Sequence, residues 1–235
     1  MIVIPAIDLR GGRAVRLFRG DPQAETEYST DPTEVAKRFE AEGARRIHVV
    51  DLDAALDTGD NREVVKEIIR NVAIPVQLGG GIRSMDAIEE VLSPRMASRA
   101  VLGTAAAADP DLVRRAVEKF EDHIVVAVDI LDGNVMVRGW QEAGAPIDEA
   151  IPQLISAGAP RFLVTSIQKD GTMDGPDLAL YERVTELAGD VPVIASGGVR
   201  NADDVWALRE LACEAVVVGK AFYVGTLQLS EVVRG

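Results

Sequence analysis

The chain contains one internal repeat, and that repeat constrains its fold more than any other feature. Ile2-Val-Ile-Pro-Ala-Ile runs into Asp8, then Gly11-Gly12, then Val15-Arg16. The phrase returns 121 residues later: Ile124-Val-Val-Ala-Val runs into Asp129, then Gly133, then Val-Met-Val-Arg138-Gly-Trp140. Glu42-Gly-Ala-Arg-Arg-Ile-His-Val-Val50 is similar to Ala157-Gly-Ala-Pro-Arg-Phe-Leu-Val-Thr165, 115 residues on. Ile74-Pro-Val with Gly80-Gly-Ile-Arg83 and Asp86 matches Val191-Pro-Val with Gly197-Gly-Val-Arg200 and Asp203, 117 on. Ala100-Val-Leu-Gly103-Thr-Ala105 matches Val216-Val-Val-Gly219-Lys-Ala221, 116 on. Chance similarity between strands explains one such match, but not four in order at nearly constant spacing.

Each matched unit has the same internal grammar. A β-branched apolar run reads as a strand buried on both faces. Such runs fall at about 1–8, 46–51, 74–79, 99–103, 124–129, 161–166, 192–196 and 215–219. Stretches of helical period lie between them, among them Pro32-Thr-Glu-Val-Ala-Lys-Arg-Phe-Glu and Asp111-Leu-Val-Arg-Arg-Ala-Val-Glu-Lys-Phe. Ser84 and Asn201 stand where helix N-caps belong. Strict alternation of strand and helix predicts a parallel sheet. Eight units in 235 residues predict an α/β fold closed as a (β/α)8 TIM barrel, with an open doubly wound sheet as the rival. No linker or low-complexity tract divides the chain, so one domain over 1–235 is expected, built from half-barrels of about 1–122 and 123–235.

A formal net charge of −13 argues against nucleic acid or an anionic membrane as partner. A single cysteine, Cys213, lies in an apolar run, so no disulfide framework is available. The N-terminus reads directly as a strand rather than as a signal peptide, and no apolar run approaches a membrane span. The expectation is a cytoplasmic monomer. The polar stretch from Phe18 to Thr30 lacks periodicity and reads as a loop able to act as a lid.

In such a barrel the carboxyl ends of the strands form the active face. Strands one and five then place Asp8 and Asp129 on opposite sides of the mouth. Paired carboxylates suit acid–base chemistry when their surroundings separate their pKa values. The competing reading makes them helix caps or partners of a nearby arginine. Gly80 and Gly81 follow strand three and Gly197 and Gly198 follow strand seven, while Gly103-Thr104 and Gly219-Lys220 follow strands four and eight. Glycines there let backbone N–H groups approach an anion, so the repeat predicts two phosphate sites; tight turns alone would also use glycine. Arg83 and Arg200 are candidates for anion contacts or plain surface arginines. His48 and His123 lack metal-ligand spacing, and no Walker loop, GxGxxG or Ser-His-Asp arrangement is present. The expected chemistry is carboxylate acid–base catalysis with neither cofactor nor metal.

Taken together, Ile4-Pro-Ala-Ile-Asp8-Leu, Val50-Asp51-Leu-Asp53, Gly79-Gly-Gly-Ile-Arg83, Ala127-Val-Asp129, Gly139-Trp140-Gln141, Lys169-Asp-Gly-Thr172, Ser196-Gly-Gly-Val199 and Val218-Gly-Lys-Ala221 resemble one family across essentially the whole chain. It is the isomerase of histidine biosynthesis that acts on ProFAR, a substrate with a phosphoribosyl group at each end. The resemblance implies an Amadori rearrangement of an N-linked aminoaldose to an aminoketose. It implies Asp8 as the base at C2′, either Asp129 or Asp170 as the acid at the ring oxygen, and Thr165 as a residue holding the sugar. An actinobacterial subfamily that also isomerises phosphoribosylanthranilate is similar at Arg16, Arg138 and Trp140. There the arginine would grip a carboxylate and the tryptophan would stack on an aromatic ring. The neighbouring readings are the related cyclase, whose opening usually carries Cys where this chain has Ala6, and a barrel that only binds phosphosugars.

Overall fold

The computed structural model describes residues 1–18, 21–137, 140 and 142–233. Among these, eight parallel strands close into a barrel: β1 (Ile2–Arg10), β2 (Ile47–Asp51), β3 (Val76–Gly79), β4 (Arg99–Leu102), β5 (Ile124–Leu131), β6 (Phe162–Ser166), β7 (Val193–Ser196) and β8 (Ala215–Val218). Each pairs with its neighbours in chain order, β8 pairs with β1 and β5 with β6, so no barrel edge is left open. The rival open sheet is thereby excluded. β1 and β5 stand four places apart in the ring, which puts them on opposite walls.

Strand parity decides what faces inward. Ile4 and Ala6 of β1, Val101 of β4, Val125 of β5, Leu163 of β6, Ile194 of β7 and Val217 of β8 pack together inside the barrel. The alternate residues, such as Val3, Ile7, Val49, Val126 and Val164, pack outward against the helices. Asp8 shares the parity of Ile4 and Ala6, and Asp129 that of Val125 and Ala127. Both carboxylates are therefore aimed at the lumen by pattern alone.

The helices lie between the strands, each with an apolar face on the barrel. Pro32–Ala41 shows how the sequence sets one up. Asp31 accepts from the Glu34 backbone N–H at 3.0 Å, Pro32 sits in the first turn where its missing N–H costs nothing, and Val35, Ala36 and Phe39 are buried. Ser84 and Asn201 cap their helices as expected, accepting from the N–H of Ala87 and of Asp204, each at 3.2 Å. Short helices at Leu52–Ala55 and Thr104–Ala108 add to the simple alternation read from the sequence.

One expectation is overturned. The stretch from Phe18 to Thr30 is not an aperiodic loop. Arg13–Phe18 and Asp21–Ser29 form an antiparallel hairpin that extends β1 beyond the barrel, with Val15 opposite Asp8. Ion pairs accompany its backbone ladder: Arg10 binds Glu25 at 2.8 Å, and Arg13 binds Glu27 and Glu25. A second hairpin, Asn134–Val137 with Glu142–Pro146, leaves the end of β5. The two active-face hairpins thus rise from the two aspartate-bearing strands.

Candidate active site

Asp8 lies where β1 meets its hairpin, and the hairpin returns Arg16 against it. Arg16 Nη1 donates to Asp8 Oδ2 at 2.9 Å and Nη2 donates to Asp170 Oδ1 at 2.5 Å. One guanidinium therefore ties the hairpin of the first half to the loop after β6. That loop is wound tightly: the Asp170 N–H donates to the Ser166 carbonyl at 2.9 Å, and Asp170 is buried. Burial pushes Arg16 toward losing its proton, but Asp170 and then Asp8 outweigh this, and its pKa rises. Asp8 is itself raised above the usual carboxylate range, by burial first, with Arg16 opposing and Asp170 adding repulsion.

Asp129 has different company. Trp140 Nε1 donates to Asp129 Oδ2 at 2.7 Å, from a backbone position with φ of 70°. Thr165, directly beside Asp129 in the β5–β6 register, contributes its hydroxyl as a second donor. Burial raises the Asp129 pKa, the Trp140 and Thr165 hydrogen bonds pull it back, and Asp170 adds repulsion. The two strand-end carboxylates are thus partnered unequally, one by a cation and one by neutral donors.

Asp8, Asp129, Asp170, Thr165, Arg16 and Trp140 line one cavity of about 640 Å³ at the carboxyl ends of the strands. Gly80, Gly81, Gly103, Thr104 and Arg83 line the same cavity on the first-half side. Gly197, Gly198, Gly219 and Lys220 line an adjoining recess shared with Arg16 and Asp170. Two of these glycines also carry the backbone through close crossings. At Gly80, with φ of +100°, a Cβ would lie 2.1 Å from the Asp51 carbonyl oxygen; at Gly198, with φ of +87°, it would lie 2.4 Å from that of Gly175. Lys220 Nζ donates to the Gly171 carbonyl at 2.8 Å. Arg83 sits half-exposed at the cavity wall, paired with Asp57 and donating to the Ala55 carbonyl at 2.9 Å. Its repeat partner Arg200 is drawn away: its backbone N–H and guanidinium bind Asp204 at 2.8–2.9 Å. Arg138 lies outside the described residues.

Two features escaped the reading of the sequence. Asp51, Asp53 and Asn61 clamp the turn that joins β1 to the hairpin: Gly11 N–H donates to Asp53 at 2.7 Å, Gly12 N–H donates to Asn61 at 2.8 Å, and Asn61 donates to Asp51 at 2.7 Å and to Asp53 at 2.9 Å. The Val50-Asp51-Leu-Asp53 run carried that signal without its geometry. Tyr223 stacks on Tyr28 of the hairpin with ring centroids 4.5 Å apart and donates to the Ala6 carbonyl at 3.1 Å. Its partners come from the far end of the chain, so no local pattern reveals it. His48 faces the lumen beside Gln77 at 3.1 Å, and burial, then Arg16, holds its pKa down at about 4. It is a neutral wall residue, as its place within a strand suggested.

The comparisons agree with this architecture. A family model described as "Histidine biosynthesis protein" matches residues 2–228. A protein of Moorella thermoacetica is 45% identical over 236 residues, covering 98% of this chain and 96% of its own. One of Thermus thermophilus is 44% identical over 233 residues, covering 98% of each chain, and one of Nitrosopumilus maritimus is 40% identical over 233 residues, again covering 98% of each. All three carry the name 1-(5-phosphoribosyl)-5-((5-phosphoribosylamino)methylideneamino)imidazole-4-carboxamide isomerase. A barrel with two opposed strand-end aspartates, matched over nearly its whole length, belongs to the histidine biosynthesis protein family.

Proposed function

We propose that this chain isomerises ProFAR, the bis-phosphoribosyl substrate named in its relatives, from aminoaldose to aminoketose. The observation that carries the assignment of roles is the unequal partnering of Asp8 and Asp129. Burial raises the Asp8 pKa, and the Arg16 guanidinium at 2.9 Å opposes that rise and favours the ionised form that can accept a proton. Asp129 is also raised by burial, and its partner Trp140 is a neutral donor rather than a cation, so it is assigned the proton-holding role. Asp170 is engaged with Arg16 at 2.5 Å and serves to hold that arginine.

In this reading Asp129 gives its proton to the ribose ring oxygen. The C1′–O bond breaks as the amine nitrogen lone pair forms a C1′=N iminium. Asp8 then removes the C2′ proton, and the C–H electrons form C1′=C2′ and neutralise the iminium. The resulting enol becomes the C2′ ketone as Asp8 returns its proton to C1′ and the C2′ hydroxyl proton passes to the ionised Asp129, which restores both carboxyl groups. Thr165 steadies Asp129 and the sugar beside it. The two phosphates would lie against the loops of Gly80, Gly81, Gly103 and Thr104 on one side and Gly197, Gly198, Gly219 and Lys220 on the other. Each half-barrel of the repeat supplies one aspartate and one phosphate loop set.

The test is steady-state turnover of ProFAR by the purified protein, with phosphoribosylanthranilate assayed in parallel. Turnover of ProFAR, abolished by Asp8→Asn and by Asp129→Asn, is the expected result. Turnover of both substrates would extend the activity, with Arg16 and Trp140 serving two rings. Absence of turnover in a folded protein would overturn the assignment.

A further inference from the structure

The opposite end of the barrel carries a second polar cluster that the reaction does not use. Arg46 immediately precedes β2, Arg99 opens β4, Arg161 immediately precedes β6 and Glu214 immediately precedes β8. These are alternate strands, the arrangement that builds a single side-chain layer across such a barrel. Arg161 is 8% exposed, and its Nε and Nη2 donate to the two Glu214 oxygens at 2.5 and 3.1 Å. Its Nη1 is buried and has no hydrogen-bond partner among the described residues.

The repeat explains what is missing. Arg46 corresponds to Arg161 at the offset of 115, and Ser98 corresponds to Glu214 at the offset of 116. Arg46 Nη1 donates to Ser98 Oγ at 2.9 Å, where Arg161 meets a carboxylate. That serine hydroxyl donates onward to the Val76 carbonyl at 2.9 Å, so it brings no charge. One half of the repeat neutralises its floor arginine and the other does not. Arg99 adds a third guanidinium whose charge acts on both, and Glu214 and then the exposed Asp122 offset it in part. Burial first, then Arg99 and Arg161, holds the Arg46 pKa down at about 10, and Glu214 opposes them only in part.

We propose that the amino-terminal floor of the barrel, between Arg46, Arg99 and Arg161, binds a small tetrahedral oxyanion. Guanidinium forks bind phosphate-type oxygens through charge-assisted pairs of hydrogen bonds, and the unpartnered Arg161 Nη1 supplies a donor already desolvated. The site takes the place of the carboxylate that Ser98 lacks.

The experiment uses inorganic phosphate as probe, followed by thermal unfolding at constant ionic strength in the parent protein, Ser98→Glu and Arg46→Gln. The mouth loops are the same in all three, so their response to phosphate cancels. Ser98→Glu supplies the carboxylate of the other half, and Arg46→Gln removes a donor should the glutamate variant fail to fold. A phosphate titration weakened at least tenfold in the variants, with ProFAR turnover in phosphate-free buffer unchanged, supports the site. Identical phosphate dependence in the parent and in the folded variants overturns it. Crystals soaked in selenate provide the positional check: a selenium peak among the three arginines is expected, and peaks confined to the mouth loops would also overturn the proposal.

Discussion

Trp140 donates its indole N–H to the carboxylate of Asp129 at 2.7 Å, so a hairpin after β5 tunes the group at that strand's end. A donor to the charged form lowers a carboxyl pKa, and here it opposes the rise caused by burial. Trp140→Phe keeps an aromatic face and removes the donor, so the Asp129 pKa rises. If Asp129 is the general acid, activity is lost as pH climbs through that pKa. The alkaline limb of the kcat profile is therefore expected to move to higher pH, with kcat lower by about tenfold, the low end of what one misplaced acid–base group costs. An unchanged limb would detach Trp140 from the acid.

Asp129→Asn separates catalysis from stability. Turnover is expected to fall by about 10²–10⁴-fold, the usual contribution of such a group. Stability should move the other way. A carboxyl whose native pKa lies above its unfolded value, about 3.9, stabilises most fully below that value and loses the contribution as pH rises through the native pKa. At pH 8 the neutral amide avoids the cost of a desolvated charge. The variant should melt about 2–4 °C higher than the parent, the shift that roughly 1 kcal/mol produces in a chain of this size. Below pH 4 the two melting temperatures should converge. A lower melting point at pH 8 would show that Trp140 and Thr165 stabilise the carboxylate more than burial penalises it.

Arg16→Met removes the cation that bridges Asp8 and Asp170. Both carboxylates then face each other without compensation, and breaking a buried pair from one side costs about 3–5 kcal/mol. Because the Arg16 side chain keeps 14% exposure, a loss near the lower figure, about 3 kcal/mol, is expected in urea unfolding. The Asp8 pKa climbs further. A base must be ionised, so activity disappears as pH falls through its pKa, and the acid limb of kcat/KM should shift to higher pH. Arg16→Lys should restore much of the limb but less of the stability, since an ammonium cannot bridge two carboxylates through a planar fork.

Much of this site was legible because its residues repeat. Asp8 and Asp129 share a phrase, and strand parity alone turns both inward. The loop glycines repeat too. Asp170 has no counterpart in the first half, and only the resemblance at Lys169-Asp-Gly-Thr172 pointed to it. The hairpin was misread because Asp21-Pro-Gln-Ala-Glu-Thr-Glu-Tyr-Ser is poor in apolar alternation. Its polar contacts are Glu25 with Arg10 of β1 and Glu27 with Arg13 of the paired strand. Cross-strand charge leaves no periodic trace within either strand. Tyr223 needs Tyr28 and Ala6 as neighbours, contacts that exist only once the barrel has closed.

Lys220→Glu reverses a charge in the recess lined by Gly197, Gly198 and Gly219. If a substrate phosphate sits there, KM for ProFAR should rise by at least about tenfold, which corresponds to 1.4 kcal/mol. The kcat should change less, since Lys220 lies outside the aspartate pair. Raising the salt concentration should weaken the parent more than the variant. An unchanged KM would remove the phosphate site after β8 and leave Lys220 as a tether for the Gly171 carbonyl.

Asn61→Ala tests whether the hairpin must be clamped for Arg16 to reach its partners. Asn61 is 5% exposed and ties several groups together: its backbone N–H and side chain both donate to Asp51 at 2.7 Å, the side chain also donates to Asp53 at 2.9 Å and to the Leu9 carbonyl at 3.4 Å, and it accepts from the Gly12 N–H at 2.8 Å. Truncation leaves the Gly12 donor and an Asp51 oxygen without that partner, and unmet buried groups cost about 1–3 kcal/mol. The strands of the barrel do not depend on this knot, so the loss should appear first as local opening of 13–29. Limited proteolysis within the hairpin should quicken before global unfolding begins, because cleavage follows the population of the open form. With Arg16 less firmly seated, kcat/KM should fall and its acid limb should drift in the same direction as in Arg16→Met, by a smaller amount. If the hairpin resists protease as before and the pH profile is untouched, Asp53 alone, through its 2.7 Å bond from Gly11, is enough to hold the turn.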